Sequence, residues 1–194
     1  MVTFPPLAPS VSWFSDFVIS LTKGNDFQES VVRANSRLVS SKEFGRFVLE
    51  DSAGKEIKLS VAVEGGGRQL RSLDKVKDIR LSDHGDWRRI HVATIEACLG
   101  RKPFFRYFEE SLCDIYQNRK LFTLEEFNSA VFQFLYTFLI GNLNLSEVDL
   151  SLNRIIFNRG YEIAEQLNPE VSSLEAISTY GKETLLGFLS MRKD

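Results

Sequence analysis

The 194-residue chain holds only 2 Cys, 2 His, 2 Met and 5 Pro, and each scarcity removes a class of protein. Cys98 and Cys113 stand far from any C-x-x-C spacing, so neither a disulfide framework nor a cysteine zinc site is expected. Both thiols are expected as small buried hydrophobes in a reducing compartment. No run approaches the ~20 apolar residues that cross a bilayer. The opening residues, Met1 to Pro6, lack the basic and continuous apolar regions of a secretory signal, so a cytoplasmic location is the expectation.

Charge of one sign is also missing. Lys and Arg number 24 against 26 Asp and Glu, for a net −2, divided 14 to 13 over residues 1–100 and 10 to 13 over 101–194. Neither half has the basic excess of a nucleic-acid surface, and no nucleic-acid partner is expected. One denser stretch mixes Arg68, Arg71, Lys75, Lys77, Arg80, Arg88 and Arg89 with Asp74, Asp78, Asp83 and Asp86. It reads either as a solvated mixed-charge surface or as the rim of a site for an anionic ligand. What the chain has in quantity is phenylalanine, 16 residues in a sequence that is 43% hydrophobic. A chain of this length buries roughly 70% of its unfolded surface. One domain over 1–194 with an aromatic core is expected, and no linker or internal repeat divides it.

The spacing of apolar residues changes near residue 85. Before it, turn residues separate strand-like runs, and after it the period is helical. Ile57, Leu59, Val61 and Val63 alternate with Lys58 and Ser60, the pattern of a half-buried antiparallel strand. Its expected partner is Gly45 to Glu50, joined through a turn in which Gly54 supplies a positive φ, and Ile79 to Leu81 alternates again. Asp86 is placed to cap a helix bearing Trp87, Ile90, Thr94, Ile95 and Cys98, with Gly100 beyond its end. A second helix is expected from Pro103, with Phe104, Tyr107, Phe108, Leu112 and Ile115 on one stripe. Thr123 and Glu126 form a capping box that opens a helix from Phe127 to Ile140, apolar nearly all round and therefore central. Ile155 to Phe157 reads as a short apolar element, 162–167 as helix, and Leu174 to Met191 as a terminal helix interrupted at Gly181. The fold class expected is α+β, a single domain with a small antiparallel β-region in the N-terminal half and packed helices in the C-terminal half.

Few patterns carry chemistry. His91 and Cys98 share a helical face, but seven residues separate them by about 10.5 Å along the axis, too far for a nucleophile–base pair. His84, between Asp83 and Asp86, has metal-ligand neighbours but no second ligand cluster, so a capped turn explains it and no metal site is expected. The glycines 65–67 are followed by Arg68, Gln69 and Leu70, which matches no phosphate-loop signature and reads as a connection. No G-x-S-x-G elbow is present. The adjacent pairs Glu109–Glu110 and Glu125–Glu126 point to different sides of a helix and read as surface and capping groups.

The order of the remaining motifs says more. The stretch Ile79 to His91, with Trp87 four residues before His91, followed by Lys102-Pro103-Phe104-Phe105 to Phe108, resembles the WbqC-like family. Further pieces fall in the same order: Pro5-Pro6 to Trp13-Phe14, the hairpin Gly45-Arg46 to Val61, Leu124 to Asn128, and Ser151 to Gly160. The resemblance covers residues 4–165. The chain departs from the family pattern at Gly45, Val92 and Arg154, where Asn, Trp and Asp are the pattern's residues.

The resemblance implies a role in cell-surface polysaccharide and lipopolysaccharide (O-antigen) biosynthesis, with an acyl- or aminoacyl-type transfer onto a sugar. It makes His91 the candidate catalytic base, since a neutral imidazole accepts a proton near pH 7. Arg46 becomes the candidate ligand for a substrate carboxylate or phosphate, and Trp87 a wall of the site. Each has a plainer alternative: His91 and Trp87 as core residues, Arg46 as a surface cation. The departures favour a second reading, a catalytically degenerate member that binds a sugar-nucleotide or a protein. A third is an interaction protein self-associating through Phe104, Phe105 and Tyr107. A nucleotide-sugar or acyl-donor small molecule is the expected partner, a homo-oligomer is left open, and the resemblance names no cofactor.

Overall fold

Alternation in the strand centred on residue 59 produces the hairpin on which the site is built. In the computed structural model, which describes residues 3–36, 38, 41–71, 78–139 and 172–181, strand β1 (Arg46–Glu50) pairs antiparallel with β2 (Glu56–Ser60), Arg46 opposite Ser60 and Glu50 opposite Glu56. Phe47, Leu49 and Leu59 are buried on one face, while Arg46, Lys58 and Ser60 are exposed on the other. The connecting turn is stabilised by the Asp51 carboxylate, which accepts the N–H groups of Ala53 and Lys55 at 2.8 and 2.9 Å. Gly54 supplies the left-handed φ of 77° that the turn needs. The apolar pattern continues past the strand, with buried Val61 and Val63, the latter bridged to Leu81.

Helix α5 (Leu124–Leu139) is the spine of the molecule. Its start is a complete capping box: Thr123 Oγ1 accepts the Glu126 N–H at 3.1 Å, and the Glu126 carboxylate accepts the N–H groups of Phe122 and Thr123 at 2.8 and 2.9 Å. Those two bonds hold the Glu126 carboxyl below its ordinary pKa. Along its length Phe132 packs on Trp13, Phe14 and Phe17, Phe127 on Trp87 and Tyr116, and Phe134 and Phe138 on Phe108. Many of these pairs are edge-to-face, each worth ~0.5–1.5 kcal/mol beyond the area they bury.

The N-terminal third is more helical than its sequence predicts. Helix α1 (Val11–Thr22) and helix α2 (Phe27–Asn35) pack on one another, capped by Ser10, which accepts the Trp13 N–H, and by Asp26, which accepts the Glu29 N–H. Both caps are of the preferred residue types, and the buried Trp13, Phe14 and Phe17 have helical spacing. Helix α3 (Trp87–Leu99) begins where expected, but Asp86 makes no side-chain cap; it stands in left-handed backbone, φ 48°, and pairs with Arg89. Ile90, placed on the buried stripe by its spacing, is 48% exposed.

Helix α4 (Glu109–Gln117) starts six residues later than Pro103 predicts, after a single tight turn over Phe105–Tyr107. The stripe shifts accordingly to Phe105, Phe108, Leu112 and Tyr116, and leaves Phe104 and Tyr107 exposed. The glycine connection turns through Gly65 and Gly66, both with positive φ, and leads into a short turn of helix over Gln69–Arg71. A sixth helix, α6 (173–181), follows Ser172 and packs its buried residues Leu174, Ala176 and Ile177 into the same core. Architecture is mixed α+β, as the sequence predicts. Lys75, Lys77 and Asp74, the 151–160 motif with Arg154, the elements expected at 155–157 and 162–167, and the terminal helix beyond 181 lie outside the described residues. No described helix is long and apolar enough to cross a membrane.

Candidate functional site

Helix α3 lies against the hairpin, and His91 is where they meet. Its ring is 2% exposed and is enclosed by Trp87, Tyr116 and Phe47, with ring centroids 5.1, 5.7 and 6.2 Å away. Nε2 lies 3.1 Å from the Ser60 carbonyl oxygen. A carbonyl only accepts, so Nε2 carries the proton and the neutral ring keeps its lone pair on Nδ1. Nδ1 is buried and has no hydrogen-bond partner among the described residues. Burial pushes the His91 pKa down to about 4, the Ser60 carbonyl offsetting only part of the shift. At neutral pH the ring is uncharged.

Ser60 joins two of the three sequence-predicted site residues. Its carbonyl holds His91 on the core side, while its hydroxyl accepts Arg46 Nε at 3.0 Å on the solvent side. The strand register causes this, because Arg46 and Ser60 are direct cross-strand partners. Arg46 is exposed. Trp87 is 5% exposed, its indole N–H donating to the Ser82 carbonyl at 2.6 Å. It packs on the His91 ring one helical turn away. Arg46 faces solvent, and His91 and Trp87 face the core.

Two residues outside that set do more to shape the region. Arg88, which the sequence groups with a mixed-charge cluster, is 4% exposed. Its Nη1 donates to the carbonyls of Tyr116 and Asn118 and its Nη2 to that of Leu121, at 3.0–3.3 Å. The guanidinium thereby satisfies carbonyls left open at the end of α4, and lies over the rings of Trp87 and Phe127 at 4.8 and 5.3 Å. Asp83 stands 3.8 Å from Arg88 Nε. The signal was helical spacing: Arg88, His91, Ile95 and Leu99 fall at i, i+3, i+7 and i+11. Asn128 is fully buried, and its Nδ2 donates to the carbonyls of Pro5 and Phe44 at 3.1 and 2.8 Å. The asparagine that ends the Leu124–Asn128 motif therefore ties the N-terminal segment and the entry to β1 onto α5.

His84 and Asp83 sit exposed on the turn before α3, Asp83 paired with Arg119. Cys98 and Cys113 are free thiols, both pushed up in pKa by burial first, then by nearby carboxylates. The WbqC-like protein family matches residues 37–167, which takes in the hairpin, α3, α4 and α5. No curated protein and no solved structure matches the chain.

Proposed function

The chain belongs to the WbqC-like protein family, and from that premise we propose a cytoplasmic role in cell-surface polysaccharide biosynthesis, including that of lipopolysaccharide O-antigen. The geometry best supports a binding role: Arg46 contacts an anionic group of a sugar-nucleotide, and Ser60 fixes the guanidinium in place. The observation that carries this is the division at Ser60. Its hydroxyl holds an exposed arginine, whereas its carbonyl holds a histidine that is 2% exposed. A guanidinium bonded through Nε presents its two terminal nitrogens together, the fork that carboxylate and phosphate accept.

The second reading is acyl- or aminoacyl-type transfer onto a sugar, with His91 as general base beside Trp87. What favours it is the Nδ1 lone pair, which no described residue engages. What weighs against it is the surrounding ring of Phe47, Trp87 and Tyr116, together with a pKa near 4, which makes a poor base at neutral pH.

A thermal-shift screen with nucleotide-sugars separates the readings. A ligand at 100 times its Kd stabilises by about 2.7 kcal/mol. A member of the panel is expected to raise Tm, and Arg46→Ala is expected to abolish that rise without lowering the unliganded Tm. An equal rise in both chains, or no rise with any member, counts against the binding role. Mass spectrometry of an amino-sugar nucleotide incubated with an acyl donor tests transfer; acylated product that is lost in His91→Gln would favour it.

A further inference from the structure

Among the described residues Glu175 is the one buried carboxylate, 8% exposed. It occupies the third position of α6, and its N–H is accepted by the hydroxyl of the cap residue Ser172 at 3.2 Å. A glutamate there ordinarily returns to the N–H of the cap itself. Glu175 instead turns outward from its helix, and Oε2 accepts the backbone N–H of Glu50, the last residue of β1, at 3.3 Å.

The hairpin explains why that N–H is available. Val61 donates to Gly45 and Asp51 to Lys55 across the two strands, so the alternate positions, Glu50 among them, point their N–H groups out of the ladder. Glu175 thus acts as a side-chain substitute for a further strand along the edge of β1. Among the described residues, the other hydrogen bonds that tie α6 to the body are neutral: Ser173 donates to the Pro9 carbonyl, and the Ser178 carbonyl accepts the Phe104 N–H at 3.1 Å. The tie to the hairpin is ionisable.

We propose that Glu175 makes the docking of α6 on the β-hairpin proton-dependent, tight when the carboxyl is protonated and looser once it ionises. Among the described residues, the charged and titratable groups around it are Glu50 at the end of β1, Lys102 beyond the end of α3, and Cys98 on α3, itself close to Asp51. Burial is the largest influence and lifts the Glu175 pKa above the ordinary 4.5. The Glu50 N–H and Lys102 oppose the rise, and the Glu50 carboxylate adds to it. A carboxyl whose pKa is raised in the docked state holds its proton more tightly there than when undocked. Docking therefore strengthens as pH falls from neutral through the raised value toward 4.5, and the penalty for the buried charge is full above it.

Amide hydrogen exchange over 173–181, corrected for intrinsic rates and compared with the amides of α5, tests the latch in the intact chain. Protection of α6 relative to α5 is expected to rise as pH falls from 7 toward 4.5, because the raised carboxyl takes up its proton in the docked state while whole-molecule opening enters both helices alike and cancels. Glu175→Gln is expected to show the higher ratio already at pH 7, with no pH dependence. A ratio that is flat or falls in the unmodified chain, or a Gln variant that keeps the pH response, overturns the proposal. Should Glu175→Gln not fold, the amide resonance of Glu50 in the unmodified chain decides. A titration midpoint above 4.5 supports the latch and one at or below it refutes it.

Discussion

His91 Nε2 stands 3.1 Å from the carbonyl oxygen of Ser60, so a side chain from α3 satisfies an outward-facing acceptor on the free edge of β2. Open strand edges invite mispairing unless something covers them. Helix α3 covers this edge with an uncharged imidazole.

Acid is therefore expected to unsettle the fold through His91. Its pKa falls from 6.5 when unfolded to about 4 when folded, so the folded state binds the proton less readily than the unfolded one. The stability tied to the neutral ring is fully present above pH 6.5 and is lost as pH falls toward 4, a total of ~3 kcal/mol. Urea midpoints measured between pH 7.5 and 4.5 check this. The difference between the unmodified chain and His91→Gln should shrink steadily on acidification, and a constant difference would show that the ring does not titrate in this way.

Arg88→Lys is expected to cost ~2–4 kcal/mol although charge is kept. One ammonium cannot reach the carbonyls of Tyr116, Asn118 and Leu121 together, and carbonyls left buried and unpaired are costly. Equilibrium urea unfolding gives the number. A loss below about 0.5 kcal/mol, the ordinary size for a surface substitution, would mean that the three bonds are not a structural requirement.

Asn128→Leu preserves approximate volume but removes both bonds to Pro5 and Phe44. Leaving two buried acceptors open is expected to cost ~2–4 kcal/mol. The N-terminal segment should also lose protection from hydrogen exchange before the rest of the molecule. Uniform loss of protection across the chain would argue against this local tether.

Thr123→Ala should lower stability by ~1 kcal/mol by opening the N-terminus of α5, and Thr123→Ser should restore most of it. The same alanine variant should show weaker amide protection at Glu126. An alanine variant as stable as the parent would place the cap outside the determinants of α5.

Residues with local signals were legible in the sequence. The strand β2, the Gly54 turn, the Thr123 capping box and the central, aromatic α5 all follow from period, turn residue or cap, although the alternation that runs on to Val63 outlasts the strand, which ends at Ser60. Sequence expectation and structure part where two local signals compete. Pro103 signals a helix start, yet the chain makes one tight turn first, and the buried stripe moves from Phe104 and Tyr107 to Phe105 and Tyr116. Arg88 has charged sequence neighbours, yet its helical phase is that of the buried His91, Ile95 and Leu99. Nothing local marks Glu175, because its bonding partner lies 125 residues away.

The sequence by itself determined the α+β class, the pairing of Gly45 to Glu50 with the strand that follows the Gly54 turn, and the aromatic supply of the core, because each depends on local spacing and turn residues. Only the tertiary structure decided which polar groups became buried. Exposed or enclosed is a property of what packs on a residue from elsewhere: the hairpin and α4 close over His91 and Arg88, while Arg46, one strand position away from the buried Phe47, stays in water. Solvation then sets the chemistry, leaving His91 neutral in the core and Arg46 in water.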